Sequence, residues 1–402
     1  MTEIIKIIII LELIFIFLGC QRASNYLHKT VLPKSSFLQN SERGLQKFRE
    51  NKYHRSIKSF KKAIDIYRHA ENKPIVSLSD IAIMDYYGEG YDKVFLHNYN
   101  ALNYLMLEDL ENANIETKNS NFVQQEEKKK YIRQIRNFYE KKEKYKAILN
   151  RYEKLYKQVN EKHNPYQNPF AYYISALLYE EEGLCDEAYI DIKNALNFEP
   201  KSKILKDKLK FYAQKRFLCN SQDRRVELFF DIGIGAVKQQ VKVPVKIDKE
   251  QQKMLYLPTF KLYKSRVDHV NIIDAKRNII ARSSVLCDVD AIKVNAFKAQ
   301  LPSLIEKMFK ESSKDIASSV IAEKSSAVGA AYNAFSVIYS QNNIQTWENL
   351  AKHIDVASFI PKKNMQYSLQ IIDKNGKIVH EEKLNIKFNS KLKNRYHYYY
   401  IK

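Results

Sequence analysis

The sequence predicts a stack of helical hairpins followed by a mixed α+β domain. Three observations carry that expectation. From Ser41 to about Asn220, apolar residues recur at three and four, and Gly and Pro are scarce inside the runs. Within that stretch one spacing of small and large residues repeats. After Asn220 the apolar residues fall into short segments separated by turn signals.

The repeat is clearest in Tyr172–Pro200, which carries Tyr172, Ala176, Tyr179, Gly183, Ala188, Ile192, Ala195, Leu196 and Pro200. Ala176 and Ala188 are small where two antiparallel helices must approach closely. Gly183 suits a helix end at the turn. Ile192 and Leu196 fill the space between the helices, and Pro200 closes the second. This spacing resembles the tetratricopeptide (TPR) pattern, with Cys185 in place of the usual aromatic after the turn. Gly44, Tyr53, Ser56, Phe60 and Ala63 fall on the same template. Arg68 stands where Pro would, so the second helix of that hairpin is expected to run on. His97–Ser120 gives a third, weaker match through Ala101, Tyr104, Asp109, Leu110, Ala113 and Ser120, with Thr117 replacing a large core residue. Three hairpins are the minimum for a stable stack. The expected fold class is therefore a TPR-like helical-hairpin stack over 41–220, followed by a mixed α+β C-terminal domain over 221–402.

Gln124–Lys162 interrupts the repeats. It is dense in Lys, Glu and Tyr, with Tyr131, Ile135, Phe138, Tyr145, Ile148, Tyr152, Leu155 and Tyr156 at helical spacing. A long charged helix or helical hairpin is expected, either a solvated spacer or a partner-binding arm, with projection from the body as one option. Beyond it, strands are expected at Val226–Ile234, Val241–Ile247, Met254–Tyr263, Val267–Ile273 and Ile279–Val285. Val289–Phe335 returns to helix. Tyr367–Ile372 and Lys377–Ile386 flank Asp373-Lys374-Asn375-Gly376, a strong hairpin signal because Asn and Gly tolerate positive φ. Tyr396–Ile401 reads as one more edge strand.

The first residues differ from all the rest. Lys6 precedes Ile7–Leu18, which is apolar except for Glu12. That run is shorter than the ~17–25 residues of a spanning helix and fits a signal-peptide core. It ends in Phe17-Leu18-Gly19-Cys20, which resembles a lipobox, with Phe17 standing where Leu is usual. Residues 1–19 are expected to be a lipoprotein signal peptide, Cys20 the lipid-attachment residue, and 20–40 a tether. The competing reading is a plain membrane anchor with an incidental Cys. Gln21 after Cys20 leaves the membrane and leaflet open. Three cysteines remain, Cys185, Cys219 and Cys287. Their spacing matches no zinc or redox motif, so buried free thiols are expected, with one disulfide as the most they allow.

The chain of 402 residues carries a formal net charge of +21. Residues 1–19 hold Lys6 against Glu3 and Glu12, so the remainder carries +22. Such charge suits acidic partners. Nucleic acid is not expected, because no binding motif accompanies the charge. Only 9 Gly and 9 Pro, beside many Lys, Ile, Asn and Tyr, indicate a coding bias that places Lys across the whole surface.

No catalytic constellation stands out. The sequence has no Gly-x-Ser-x-Gly elbow and no phosphate-binding loop, and its 9 His include no metal-ligand pair. Gly233-Ile234-Gly235 reads as a strand end. The densest polar cluster is His97-Asn98 with Glu89, Asp92 and Lys93. On a helix, neighbours point about 100° apart, which argues against a two-residue catalytic unit. His97 either faces a ligand groove or packs the hairpin as a hydrogen-bonded structural residue. Tyrosine is abundant, 28 against 1 Trp, and gives contact area at small entropy cost. His97, Asn98, Tyr104, Tyr172 and Tyr173 are the candidates for a partner-binding groove, with core packing as the alternative for the aromatics. No enzymatic activity, cofactor or metal is expected.

Tyr91-Asp92-Lys93-Val94-Phe95-Leu96-His97-Asn98-Tyr99-Asn100-Ala101-Leu102-Asn103-Tyr104-Leu105, Asn168-Pro169-Phe170-Ala171-Tyr172-Tyr173 and Thr346-Trp347-Glu348-Asn349-Leu350 resemble, in that order, a poorly characterised family of bacterial lipoproteins with a TPR-like first half. Lys118-Asn119 departs from the Arg pairs that family tends to have after the first motif. The resemblance implies fold and envelope localisation but no reaction. The expected function is a lipid-anchored, non-enzymatic scaffold that binds an envelope protein or peptide. The alternative is a binding module for an acidic or glycan envelope component.

Overall fold

The computed structural model describes residues 34–72, 86–161, 163–164, 166–214, 224–246, 252–322, 344–386 and 390–402. The expected signal peptide, Cys20, the tether up to Pro33 and Cys219 lie outside the described residues. Among the described residues, no helix is long and apolar enough to cross a membrane.

Three helical hairpins form where the repeat spacing places them. The first pairs α1 (Ser36–Arg49) with α2 (Tyr53–Glu71). Helix α1 begins earlier than Ser41 because Ser35 caps it, its Oγ accepting from the Leu38 N–H at 3.3 Å. Gly44 is small for a reason: a Cβ there would lie 2.4 Å from the Phe60 ring. As expected, α2 runs on past Arg68. The second hairpin pairs α3 (Gly90–Met106) with α4 (Leu110–Lys141). Glu89 and Asp92 form a capping box on α3, and Asp109 caps α4.

Helix α4 passes Gln124 without a break, so the charged segment is an extension of the second hairpin rather than a separate insertion. It does not project. Asn137 donates to Ser303, Lys141 pairs with Glu306, and Gln124 accepts from the Asn168 N–H at 2.8 Å. The short α5 (Lys146–Leu155) then buries Leu149 and Tyr152, with the flanking Tyr145 and Tyr156, in a second core. The third hairpin pairs α6 (Pro169–Glu182) with α7 (Cys185–Phe198), and α8 (Lys203–Gln214) follows. Asn168 and Pro169 start α6, and Gly183 ends it in the left-handed region at φ +86.

The C-terminal half has ten strands among the described residues. They are β1 (Val226–Ile232), β2 (Val237–Lys246), β3 (Gln252–Lys261), β4 (Val267–Asp274), β5 (Ile279–Arg282), β6 (Ser284–Asp288), β7 (His353–Phe359), β8 (Tyr367–Asp373), β9 (Ile378–Leu384) and β10 (Arg395–Ile401). The helix α9 (Val289–Ala322) lies between β6 and β7. One sheet has the order β10-β1-β7-β6, a second β5-β4-β8-β9, and β2 and β3 form a ribbon. The expected Ile279–Val285 strand is two strands in different sheets. They part at Ser283, whose hydroxyl donates to Asp355. The β8–β9 hairpin turns at Asp373, whose Oδ1 accepts from the Asn375 and Lys377 N–H groups.

Strand β1 is buried at all seven positions. Val226, Leu228, Phe230 and Ile232 join a core shared with the second sheet. Phe229 points the other way, into a core shared with all three hairpins. The molecule is thus layered: helices, first sheet, second sheet. The hairpins and the first sheet are continuous in one hydrophobic cluster that also takes in Trp347, Leu350 and Ile354.

Each of the two expected states of the cysteines is found once among the described residues. Cys185 is disulfide-bonded rather than free. Cys287 is a free, buried thiol.

Candidate functional site

The expected groove is built from the first helices of the hairpins, α1, α3 and α6. Every residue of α3 from Tyr91 to Leu105 is buried, including Asp92, Lys93, His97, Asn98, Asn100 and Asn103. A helix with so many polar residues survives burial only if each finds partners, and most do. His97 Nδ1 lies 2.6 Å from Glu116 Oε2, and its Nε2 lies 2.7 Å from the Tyr67 hydroxyl. A carboxylate only accepts, so Nδ1 carries the proton. Asn100 donates to the other oxygen of Glu116, Asn103 donates to Ser56, and Asn98 accepts from Ser120. His97 is therefore the structural pin of its hairpin.

What covers these helices is the chain's own first sheet. On β1 the odd positions Glu227, Phe229 and Asp231 face the stack. Asp231 Oδ2 accepts from Arg49 at 3.0 Å, from Tyr398 at 2.5 Å and from Tyr99 at 2.9 Å. The Arg49 guanidinium also stacks 3.7 Å from the Tyr400 ring centre. Glu227 accepts from Tyr173 at 2.7 Å and from Ser358 at 2.7 Å. Lys208 bridges Glu227 at 2.7 Å and Glu180 at 3.0 Å. Burial, followed by the adjacent carboxylates, holds the Tyr99 and Tyr173 hydroxyls protonated, well above the usual phenol range.

The groove candidates are corrected accordingly. His97, Asn98, Tyr104 and Tyr173 are buried and present nothing to an external partner. Tyr172, the neighbour of Tyr173, is half-buried and packs on the edge of the core. The reasons are physical: His97 and Asn98 turn into the packing between helices, onto Glu116, Tyr67 and Ser120, and Tyr173 meets Glu227 of the sheet that closes the inner face.

The residues that tie the halves together, Arg49, Lys208, Glu227 and Asp231, were not legible as a set. One signal existed: two acids four apart on a strand, on the face opposite four large apolar residues.

The stretches Tyr91–Leu105, Asn168–Tyr173 and Thr346–Leu350 meet at this junction. The first is α3 itself. The second starts α6 and supplies Phe170, whose ring centre lies 5.6 Å from that of Tyr99 and 6.1 Å from that of Phe229. The third supplies Trp347, fully buried between Phe60 at 6.2 Å and Tyr99 at 6.4 Å. Leu350 O accepts from Gly235 N, and a Cβ on Gly235 would stand 2.5 Å from that oxygen. Gly233-Ile234-Gly235 is thus a close-packing device.

A second buried cluster lies at the start of α3. Tyr86 donates to Asp92, Lys238 pairs with Glu89 at 3.1 Å, and Gln300 donates to Glu89 at 3.0 Å. Burial raises Asp92 to about 6, against the opposing Tyr86 hydrogen bond. Lys293 donates to the backbone oxygens of Ala236 and Trp347, and burial lowers its pKa. Among the described residues, no group of three His, Cys, Asp or Glu is placed to hold a metal ion. Ser283, Asp355 and His353 are neighbours, but Ser283 donates to Asp355 rather than to His353, so they do not form the Ser-to-His hydrogen bond of a catalytic triad.

No protein-family model matches the chain, and no curated protein matches it. Among solved structures, it is similar to the C-terminal TPR-containing domain of a Plasmodium falciparum protein described as FK506-binding. Identity is 15% and the TM-score 0.29, over 45% of this chain and 87% of that one. A score that low carries no argument, so the hairpins rest on this chain's own geometry.

Proposed function

We propose that the chain is a lipid-anchored envelope protein acting as a rigid, non-enzymatic scaffold built on TPR-like hairpins. One observation carries the scaffold reading. The hairpins and the α+β half are locked into one body by Asp231 and Glu227, whose buried hydrogen bonds reach α1, α3, α6 and α8. A partner then meets the outer helices of the stack, where Ile115 on α4 and Ile190 on α7 are exposed. The Phe17–Cys20 sequence supports export and lipid attachment. A disulfide at Cys185 is in keeping with an oxidising compartment.

Two measurements test this reading. Labelled palmitate should enter the wild-type chain and not Cys20→Ala; an unlabelled wild type removes the anchor. A photo-crosslinker placed at Ile115 or Ile190 in cells should give one defined adduct, and one at Tyr172 none. Adducts from Tyr172 alone would restore the inner groove and sink the outer-face assignment.

A further inference from the structure

The outer side of α4 has a feature the scaffold reading leaves unused. Phe122, Lys128, Ile132, Arg133, Arg136 and Tyr139 are all exposed. At ~100° per residue they share one arc of roughly 140°, about 25 Å long. Phe122 is 64% exposed, Ile132 49% and Tyr139 69%, large values for side chains of that size. The other side of the helix is pinned by Asn137 on Ser303, Lys141 on Glu306 and Gln124 on Asn168, so the stripe is held outward. The nearby acids Glu126, Glu127 and Glu143 are each paired with their own lysine, Lys129, Lys130 and Lys146. No ion pair among the described residues engages Lys128, Arg133 or Arg136; Glu140, one turn beyond Arg136, is an exposed acid within the arc at its C-terminal end.

Bare cations alone would be a solvated face. Cations alternating with exposed Phe, Ile and Tyr on a fixed helix match an interfacial surface. There the apolar groups enter the headgroup layer while Lys and Arg stems bend their charges to the phosphates. The net charge of +21 adds long-range attraction of the right sign. We propose that this stripe of α4 rests on an anionic bilayer surface, with Phe122, Ile132 and Tyr139 in the headgroup layer and Lys128, Arg133 and Arg136 on lipid phosphates. The contact does not depend on lipid at Cys20 or on a protein partner.

The test uses the full chain carrying Cys20→Ala, so that no acyl chain contributes. It is sedimented with vesicles of phosphatidylcholine, or of phosphatidylcholine and phosphatidylglycerol in equal parts. Because the apolar run Ile7–Leu18 is present in every variant and can itself enter vesicles, the readout is the increment in binding that the anionic lipid adds, which should weaken with added salt. Reversing the charges in K128E/R133E/R136E should weaken it on the order of 100-fold. The apolar variant F122S/I132S/Y139S should weaken it about tenfold. The charge-matched control K203E/K206E/K210E, on the exposed side of α8, should stay within about twofold. Phe122→Trp gives an independent readout, because brominated acyl chains should quench it while the buried Trp347 supplies a constant background. The proposal is overturned by no added sedimentation with anionic vesicles, by an unquenched Phe122→Trp, or by an equal loss in the α8 control. An apolar variant that binds as the parent does also overturns it, and marks the stripe as a polyanion site instead.

Discussion

Replacing Asp231 with Ala tests whether the two halves are one folding unit. Its carboxylate is fully buried and accepts from Arg49, Tyr99 and Tyr398, groups from α1, α3 and β10. The Ala variant leaves the Arg49 charge, only 12% exposed, without its partner. Removing one member of a buried pair costs about 3–5 kcal/mol. Two orphaned hydroxyls would add about 1–3 kcal/mol each if independent. They are not, since the loosened Tyr398 and Arg49 side chains can reach water. A loss of about 4 kcal/mol is expected, or roughly 10 °C in melting temperature at ~2–4 °C per kcal/mol. Asp231→Asn keeps an acceptor and should lose about half as much. The double variant D231L/R49M removes both charges and should recover at least ~2 kcal/mol relative to D231A, because an apolar pair needs no partner. Thermal melts should be followed by far-ultraviolet circular dichroism for helices and near-ultraviolet signals for the aromatic junction. Both signals should shift together in a single transition. A D231A melt within ~2 °C of the parent, or a helical signal that melts apart from the aromatic one, would refute the argument.

Gly44→Ala places a methyl 2.4 Å from the Phe60 ring and should cost about 1–3 kcal/mol in chemical denaturation; F60L in the same chain should restore part of it, and an unshifted midpoint for G44A would contradict the packing. Tyr173→Phe removes a donor to buried Glu227 and should cost about 1–2 kcal/mol, while Tyr172→Phe on the half-buried neighbouring position should cost less; equal losses would show that the two do not differ in burial as described. Asp92, raised by burial to about 6 from 3.8, is protonated more readily folded than unfolded. The stability it confers is therefore full below pH ~4 and is lost as pH rises towards ~6, by about 3 kcal/mol in all. Asp92→Asn should remove that slope from a urea-unfolding series between pH 4 and pH 7, and parallel profiles for the two proteins would rule the assignment out.

The hairpins were legible because their signals are local. Gly183 ends one helix, Pro169 starts it, and Ala176 with Ala188 sets the approach, all within one stretch of chain. The junction was not legible because it pairs polar with polar across long separations. On β1, Glu227 and Asp231 alternate with large apolar residues, and period-two reasoning sends them to solvent. Their partners Tyr173, Lys208, Tyr99 and Arg49 look equally like surface or groove residues when each is read on its own helix. Only the fold shows that the two polar faces satisfy one another. Strand β7 escaped for a related reason. Asp355, Ala357 and Ser358 dilute its apolar pattern, and Asp355 is tolerated inside because Ser283 and His353 hold its carboxylate. The motif Tyr91–Leu105 leaves two roles open for His97 when read alone, a groove residue or a hydrogen-bonded packing residue, and only the fold decides between them, by bringing Glu116 and Tyr67 onto its two ring nitrogens inside the core.

The filled inner face limits what the proposed scaffold could do. A ligand that entered between the stack and β1 would have to expose Tyr99, Phe170, Tyr173, Phe229 and Trp347, all fully buried. At ~1.5–3 kcal/mol per large side chain, that is on the order of 10 kcal/mol before any hydrogen bond is broken. Native domains are stable by only ~5–15 kcal/mol, so displacing the sheet is equivalent to unfolding the chain. A regulated groove needs two states separated by a few kcal/mol, and this junction leaves no such gap. The inner face therefore sets the relative placement of the two halves. On the scaffold reading proposed above, recognition would pass to surfaces that move with them as one body, namely the outer helices and the proposed lipid-facing stripe of α4.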